Sequence, residues 1–97
     1  MSKTIFEWDE AKSLTNVEKH RVSFYEAQFA FLDENRLIAK DLSHSENEDR
    51  FFCFGLDRDG SGVPTVRFTY RSGAIRIFGA GYWRKGKKIY EQTNSVH

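Results

Sequence analysis

The sequence is poor in cysteine and contains no long apolar run, and each shortage excludes a class of protein. Its single cysteine, Cys53, has no partner for a disulfide within the chain. The longest apolar run, FFCFGL, is far shorter than the ~20 residues that a membrane-spanning helix needs. The N-terminal segment MSKTIFEWDE lacks the apolar core of a signal peptide. We therefore expect a soluble, cytoplasmic protein without disulfides.

Internal repeats and low-complexity linkers are also lacking, and a length of 97 residues suits one hydrophobic core. We expect residues 1–97 to form a single domain. The net charge is only +1, but residues 1–50 carry a balance of −4 and residues 51–97 one of +5. This asymmetry indicates that the C-terminal half meets a polyanion. Mutual neutralisation of the two halves within one fold explains it equally well.

Hydrophobic periodicity predicts an α+β fold that begins with a short strand at residues 5–8. A helix over residues 10–20 follows, with Asp9 as its N-cap. The apolar face of this helix is expected to contain Ala11, Leu14 and Val17. A second helix begins at the capping box of Ser23 and Glu26. Its buried face is expected to contain Phe24, Ala27 and Phe31.

The middle of the chain alternates between turns and strands. We predict a turn at residues 33–35, a strand at 36–41, a polar loop at 42–49 and an interior strand in FFCFGL. Residues 57–62 form a glycine-containing connection. Cys53, in the apolar strand, is expected to be an inert core residue.

A β-hairpin at residues 65–80 is the clearest local prediction. With Ser72 and Gly73 as the two loop residues, Phe68 lies opposite Ile77 and Tyr70 opposite Ile75. One face of the hairpin should be buried against the two N-terminal helices. The residues predicted on it are Val66, Phe68, Tyr70, Ile75 and Ile77.

The other face of the hairpin carries Arg67, Arg71, Arg76 and the ring of Phe78. Guanidinium groups bind phosphate and stack on bases, so these side chains are typical of an RNA-binding platform. A solvated sheet face, whose arginines pair with acids of the N-terminal half, is the alternative.

The basic segment after the hairpin extends this surface. Residues 82–90 are predicted to form a short helix interrupted by Gly86, anchored to the core by Trp83 and Tyr90. Its cations should point outward and form an electrostatic footprint for a nucleic acid. The candidates for RNA contact on the whole surface are Arg71, Phe78, Tyr82, Trp83, Lys85, Lys87 and Lys88.

Three segments together resemble the BrnT-type ribonuclease toxins of type II toxin–antitoxin pairs, from Phe6 to about Glu91. They are FEWDEAKSLTNVEKHRVSFYEA, DLSHSENEDRFF and the IRI strand with its basic sequel. The resemblance implies a RelE-like fold, with two N-terminal helices packed on an antiparallel sheet of about four strands and a short basic C-terminal helix. It also implies an RNA substrate and a ribbon-helix-helix antitoxin, whose complex with the toxin binds operator DNA.

The sequence departs from the pattern of the family at two places. Arg21 stands where the family usually has glycine, and Gly79, Ala80 and Gly81 stand where it has a Ser-Ala-Arg run. The arginine expected at position 81 is therefore absent. Either Arg84 replaces it from three residues downstream, or the activity is weak or lost.

A metal-free ribonuclease needs a base, an acid and cations around the scissile phosphate. The catalytic candidates are His44 and Glu48 for proton transfer, and Arg67, Arg76 and Arg84 for charge stabilisation. His44 and Glu48 are equally typical of a solvated loop. The spacing of His20, His44, Cys53 and His97 fits no metal site, and we predict no cofactor. The alternative function is a catalytically inactive module that still binds antitoxin or nucleic acid.

Overall fold

The computed structural model describes residues 3–95 and has an α+β fold. Its strands are β1 (Phe6–Glu7), β2 (Leu37–Lys40), β3 (Arg50–Phe54), β4 (Thr65–Arg71) and β5 (Ala74–Gly81). Its helices are α1 (Glu10–His20), α2 (Phe24–Ala27, continued by a 3-10 turn at Gln28–Leu32) and α3 (Arg84–Asn94). No helix between residues 3 and 95 has the length and apolar character required to span a membrane.

The sheet is mixed and has the strand order β1-β5-β4-β3-β2. The prediction of an antiparallel sheet of about four strands was therefore wrong in both number and direction. The fifth strand is β1, which the periodicity predicted at residues 5–8 and which runs parallel to β5 with Phe6 opposite Ile75. The amide of Ile75 donates to the carbonyl oxygen of Ile5 at 2.8 Å. β1 thus hydrogen-bonds to the outer backbone edge of β5. This pairing joins two segments that are far apart in the sequence.

Helix α1 has the predicted bounds and cap, but it buries a different face. The carboxylate of Asp9 accepts hydrogen bonds from the amides at the start of the helix, as expected. Ser13 and Asn16 are buried, whereas Leu14 is 62% exposed. The reason is that Ser13 Oγ accepts from the amide of Phe24 at 2.9 Å and Asn16 bonds the backbone at two further points. Polar side chains thus satisfy backbone groups beneath the helix, and the predicted apolar face meets solvent.

Helix α2 agrees with its prediction. Ser23 Oγ accepts from the amide of Glu26 at 3.0 Å, and Phe24, Ala27 and Phe31 are buried. The ring of Phe31 lies edge-on to Phe68, with 4.9 Å between centroids. This contact joins the second helix to the centre of the sheet.

The hairpin pairing is confirmed, with Phe68 opposite Ile77 and Tyr70 opposite Ile75. The loop residues Ser72 and Gly73 both have positive φ, 52° and 83°, as a tight two-residue hairpin turn requires. Of the five side chains predicted to be buried, Val66, Phe68 and Ile77 are.

The outer end of the hairpin is less buried than predicted. Ile75 is half-buried, and Tyr70 is 57% exposed because it lies close to the turn, where its ring has only aromatic neighbours from the sheet itself. At the other end, the register shifts so that Arg67 pairs with Gly79 and Phe78 is the extra residue of a β-bulge.

The interior strand β3 contains Cys53, which is fully buried. Burial raises the pKa of its thiol to about 12, so the thiol stays protonated at neutral pH. This agrees with the prediction of an inert core residue.

Helix α3 packs on the sheet face opposite α1 and α2. It is continuous through Gly86, so the predicted interruption was wrong. A β-carbon at Gly86 would clash with Thr65 Oγ1 and press on the ring of Phe54, and the glycine thus lets the helix approach the sheet closely. Tyr90 is buried there together with Phe54 and Val63.

Arg21 ends α1 in the left-handed region, with φ 63° and ψ 23°. Glycine adopts this conformation without steric cost, so Arg21→Gly is expected to stabilise the fold by about 0.5–1 kcal/mol. Urea unfolding of the parent and the variant measures this difference. Glu18→Gly, inside the same helix, is the control and should destabilise by about 1 kcal/mol. Equal destabilisation by both variants would contradict the prediction.

Candidate functional site

On the sheet face opposite α1 and α2, the part that α3 leaves uncovered carries a group of arginines, and we call this part the open face. Arg50 lies opposite Thr69, and Thr69 lies opposite Arg76, so these side chains share one side of the sheet. Phe52 lies opposite Arg67 on the same side. The open face therefore combines cations with aromatic rings, as the hairpin predicted.

Phe78 holds two of these arginines in place. The guanidinium carbon of Arg50 lies 4.7 Å from the centroid of the Phe78 ring, and that of Arg67 lies 5.1 Å from it. Both distances are typical of cation–π contact. The β-bulge is what brings Phe78 to this position. Two guanidinium groups on one ring form a compact site for an anion, and Arg50 was not among the predicted site residues.

Acidic side chains neutralise some of the predicted cations. Glu48 lies 3.5 Å from Arg50 and 3.8 Å from Arg71, and Glu7 lies 3.2 Å from Arg76. Arg67 has no carboxylate within salt-bridge distance in the part of the chain that the structure describes. The alternative of paired surface arginines thus applies to Arg71 and Arg76, and Arg50 is paired with Glu48 as well, while Arg67 is left available to a ligand.

His44 forms a pair with Asp41 that the sequence analysis did not anticipate. Nδ1 of His44 lies 3.0 Å from Asp41 Oδ2, and Asp41 Oδ1 accepts from the amide of Ser43 at 3.1 Å. Burial would raise the pKa of Asp41, but the hydrogen bonds from His44 and Ser43 and the charge of Arg67 leave it lowered. A buried, ionised Asp41 therefore orients an exposed imidazole.

His44 and Glu48 line the same cavity, together with Arg50. Its volume is about 310 Å³. The structure thus brings the two predicted proton-transfer candidates close to the arginines that lie on Phe78. The spacing of Asp41 and His44, three residues apart in a polar loop, was the available signal for their pairing.

A second cavity lies between α1 and β5, and we call it the edge cavity. Its volume is about 290 Å³, and Asn16 fixes α1 beside it by donating to the carbonyl oxygens of Val22 and Ala80 at 2.8 and 2.9 Å. The side chains that give it its chemistry are Lys12, Lys19, His20, Arg67, Phe78 and Trp83. The sequence analysis assigned no site role to the three α1 residues among them.

Trp83 occupies the space beside Gly81, the position at which the resemblance described above implies an arginine. A β-carbon added at Gly81 would lie 2.6 Å from the Trp83 ring. The ring also lies edge-on to His20, with 5.1 Å between centroids. Any larger side chain at position 81 would therefore displace Trp83 from the edge cavity.

The cations of α3 are exposed, as predicted, namely Arg84, Lys85, Lys87 and Lys88. The side chain of Tyr82 does not join these cations, because its hydroxyl donates to Asp57 at 3.0 Å. Burial and this hydrogen bond raise the pKa of Tyr82 to about 12. Tyr82 thus belongs to the Asp57 loop, while Trp83 belongs to the edge cavity.

An apolar groove runs between α3 and strands β2 and β3, and we call it the α3 groove. Its volume is about 570 Å³. Its apolar lining includes Ala39, Phe52, Trp83 and Ile89, and its cations are Lys40 and Lys85. It lies directly beside the arginines of the open face, since Phe52 pairs with Arg67.

Tyr90 and Asp33 fasten α3 to the rest of the fold. The Tyr90 hydroxyl donates to Asp33 Oδ2 at 2.5 Å, and the same oxygen accepts from the amide of Leu56 at 2.8 Å. Burial would raise the pKa of Asp33, but these bonds and one from the amide of Asn35 lower it. Burial and the bond to Asp33 raise the pKa of Tyr90 to about 12.

Tyr90→Phe is expected to lower the free energy of unfolding at neutral pH by about 1–2 kcal/mol, because Asp33 loses one donor. The raised pKa of Tyr90 stabilises the fold below the ordinary tyrosine pKa of about 10, and this contribution disappears as the pH rises toward 12. The variant should therefore lose less stability than the parent over that interval. Denaturant unfolding at neutral and alkaline pH measures both effects. Tyr25→Phe, at a half-exposed ring, is the control; equal behaviour of the two variants would contradict the prediction.

Comparisons with known proteins identify the family of the chain. A search of curated proteins found no significant match. The family described as "Ribonuclease toxin, BrnT, of type II toxin-antitoxin system" matches residues 8–86, which include the edge cavity, the His44 loop and the open face. Since this match covers most of the chain, the chain belongs to the BrnT family of type II toxin–antitoxin ribonuclease toxins.

Proposed function

We propose that this chain is an endoribonuclease that cleaves RNA on the open face without a metal ion. The observation that supports it most directly is the contact of Arg50 and Arg67 with one aromatic ring, next to the His44–Asp41 pair. This arrangement supplies a base and two phosphate-binding cations in a member of a ribonuclease family. Within residues 3–95, no three His, Cys, Asp or Glu side chains form a group that could hold a metal ion; His97 lies outside the described residues.

In this mechanism His44 is the general base. Its Nδ1 donates to Asp41, so Nε2 is free to accept the proton of a ribose 2′-hydroxyl. The 2′-oxygen then bonds to phosphorus, the bond from phosphorus to the 5′-oxygen breaks, and the leaving oxygen takes up a proton from solvent. The products are a 2′,3′-cyclic phosphate and a 5′-hydroxyl.

The arginines stabilise the charge of the transition state. Arg67 and Arg50 are placed for the scissile phosphate, and Glu48 holds Arg50 and Arg71 rather than transferring a proton. Arg76 and Arg84 contact neighbouring phosphates. The remaining predicted contacts, Phe78, Trp83, Lys85, Lys87 and Lys88, extend the path of the RNA, while the role proposed for Tyr82 is limited by its bond to Asp57.

The test is cleavage by the purified chain in the presence and absence of EDTA. We expect RNA to be cut equally in both, to products that end in a cyclic phosphate. Expression of the chain alone should arrest growth and degrade bulk RNA. Intact RNA in both assays would favour the alternative of an inactive binding module, which the glycine at position 81 supports. Cleavage abolished by EDTA would overturn the metal-free mechanism alone.

A ribbon-helix-helix antitoxin is the proposed inhibitor, and the complex is proposed to bind operator DNA. The α3 groove offers apolar anchoring sites beside Lys40, Lys85 and the arginines of the open face. A segment that combines carboxylates with apolar side chains complements this surface. Bound there, it would exclude RNA from the open face. We also propose a RelE-like arrangement, a single toxin domain over residues 1–97 and a cytoplasmic location.

The association rate of toxin and antitoxin is expected to fall at least about tenfold between low and high salt, because opposite charges steer the encounter. Stopped-flow mixing at several salt concentrations measures this rate. Lys85→Gln, at the α3 groove, should flatten the salt dependence, whereas Arg58→Gln, which removes a cation paired with Glu26, should leave it unchanged. A rate independent of salt would contradict the prediction.

A further inference from the structure

We infer that the edge cavity binds one unpaired nucleotide of the RNA, and that the substrate is therefore single-stranded RNA. This inference rests on the proposed function and adds a substrate class and a binding subsite to it. The phosphate of the nucleotide lies among Lys12, Lys19 and Arg67, and its base lies against Trp83.

Within residues 3–95 the cationic side chains of the edge cavity form no salt bridge, and Asp41, which the charge of Arg67 affects, does not line the cavity. Lys12 and Lys19 are seven residues apart on α1, which places them on one side of the helix two turns apart, and Arg67 faces them from β4. No Asp or Glu lines the cavity. None of the three cations has a carboxylate within salt-bridge distance among residues 3–95. Three like charges around one cavity repel one another, and a bound phosphate would remove that repulsion.

The aromatic side of the cavity suits a base. Trp83 is 40% exposed, and it lies where it does because Gly81 has no side chain. Stacking of a base on an aromatic ring favours binding and tolerates any base. The bases of an A-form duplex stay stacked in pairs, so only an unpaired base can enter. The volume of about 290 Å³ is at the small end of ligand sites and suits one nucleotide.

Two of the polar side chains that could read a base edge, those of Asn16 and Thr15, are already engaged. The amide nitrogen of Asn16 donates to the carbonyl oxygens of Ala80 and Val22, and its amide oxygen accepts from the amide of Ala80. The hydroxyl of Thr15 donates to the carbonyl oxygen of Ala11 at 3.1 Å. His20 also lines the cavity, but stacking on Trp83 tolerates any base, so we expect an unpaired nucleotide to bind with little preference among the four bases.

Arg67 connects the edge cavity with the cleavage centre. It lines the cavity, and its guanidinium also lies on Phe78 beside Arg50. A nucleotide in the edge cavity is thus next to the phosphate held by the two arginines. This continuity assigns the cavity to a nucleotide flanking the scissile bond.

Fluorescence of Trp83 tests the inference without any need for cleavage. The chain has two tryptophans, so Trp8→Phe leaves Trp83 as the only reporter. The ligand is a short 2′-O-methyl RNA, which lacks the attacking hydroxyl, used as a single strand and as a duplex. We expect the single strand to quench Trp83 strongly and the duplex to quench it little. Quenching should differ little among the four homopolymers. Equal quenching by single strand and duplex would overturn the inference.

Affinity in the parent background, measured by anisotropy of labelled RNA, provides the second readout. Lys12→Gln with Lys19→Gln should weaken single-strand binding about tenfold and lower the slope of log affinity against log salt by about 1–2. Arg58→Gln removes a cation outside the cavity and should change affinity less than about twofold. If the double variant binds RNA as tightly as this control does, the proposed nucleotide site in the edge cavity is wrong, even if the parent cleaves RNA. If RNA quenches Trp83 and its affinity depends on the two lysines, but the parent cleaves no RNA, the proposed activity is wrong and the binding site stands.

Discussion

Replacing His44 with alanine is expected to slow single-turnover RNA cleavage by about 10²–10⁴-fold, the usual contribution of a general base. RNA affinity should stay within about twofold, because His44 lies on an exposed loop and the proposed phosphate contacts come from arginines and lysines. The fold should lose about 1–2 kcal/mol of stability, because the buried Asp41 loses one donor. Rates at saturating enzyme, with affinity measured separately on uncleavable RNA, distinguish a catalytic defect from a binding defect.

Two variants of the same loop test how His44 is oriented. Asp41→Asn keeps the shape of the side chain but removes the charge that holds Nδ1–H, so cleavage should slow by at least about tenfold. Glu46→Gln, which changes an exposed acid of the loop, should cleave like the parent. If His44→Ala cleaves at the parental rate, the base is another group and the proposed centre is wrong.

The hairpin was predictable because its determinants are local. Alternating residues on both strands and a two-residue turn at Ser72 and Gly73 set the register, and the structure reproduces it from Phe68 to Ile77. The bulge at Phe78 was not predictable in the same way. The bulge places the Phe78 ring against Arg67 and Arg50, and Arg50 comes from a strand outside the hairpin, so these contacts do not follow from the local pattern.

The orientation of α1 shows why a hydrophobic pattern alone was insufficient. Leu14 and Val17 have helical spacing and favoured burial, yet Ser13 and Asn16 face the sheet because they satisfy backbone groups of Phe24, Val22 and Ala80. Those partners are identifiable only once the chain is folded. A buried polar side chain with complete hydrogen bonds therefore replaced the expected apolar contact.

The sequence indicated which segments carry the cations of the candidate site. It did not indicate which of these cations lie next to one another in the fold. The basic half of the chain indicated Arg67 as a candidate, and the structure leaves it with no carboxylate within salt-bridge distance among the described residues; its role in the site stays a prediction. The edge cavity combines it with Lys12 and Lys19, more than 45 positions earlier in the sequence. No local motif contains such a pairing, because the packing of α1 on β5 creates it.

Arg67→Lys is expected to reduce single-turnover cleavage by about 10²–10³-fold, the usual cost of removing one well-placed donor for transition-state charge. Lysine keeps the positive charge but loses the planar fork that contacts two phosphate oxygens and the flat surface that packs on Phe78. RNA affinity should therefore fall much less than the rate does. Cleavage and binding are measured on the same RNA, as for His44.

Arg84→Lys is the matched comparison, because it makes the same change at the residue that could replace the arginine missing from position 81. Arg84 is exposed on the first turn of α3 and lines none of the three cavities described above. We expect Arg84→Lys to slow cleavage less than about tenfold, as is usual for a cation that only positions the RNA. If instead Arg84→Lys slows cleavage and Arg67→Lys cleaves near the parental rate, the scissile phosphate binds at the start of α3 and not beside the Phe78 ring.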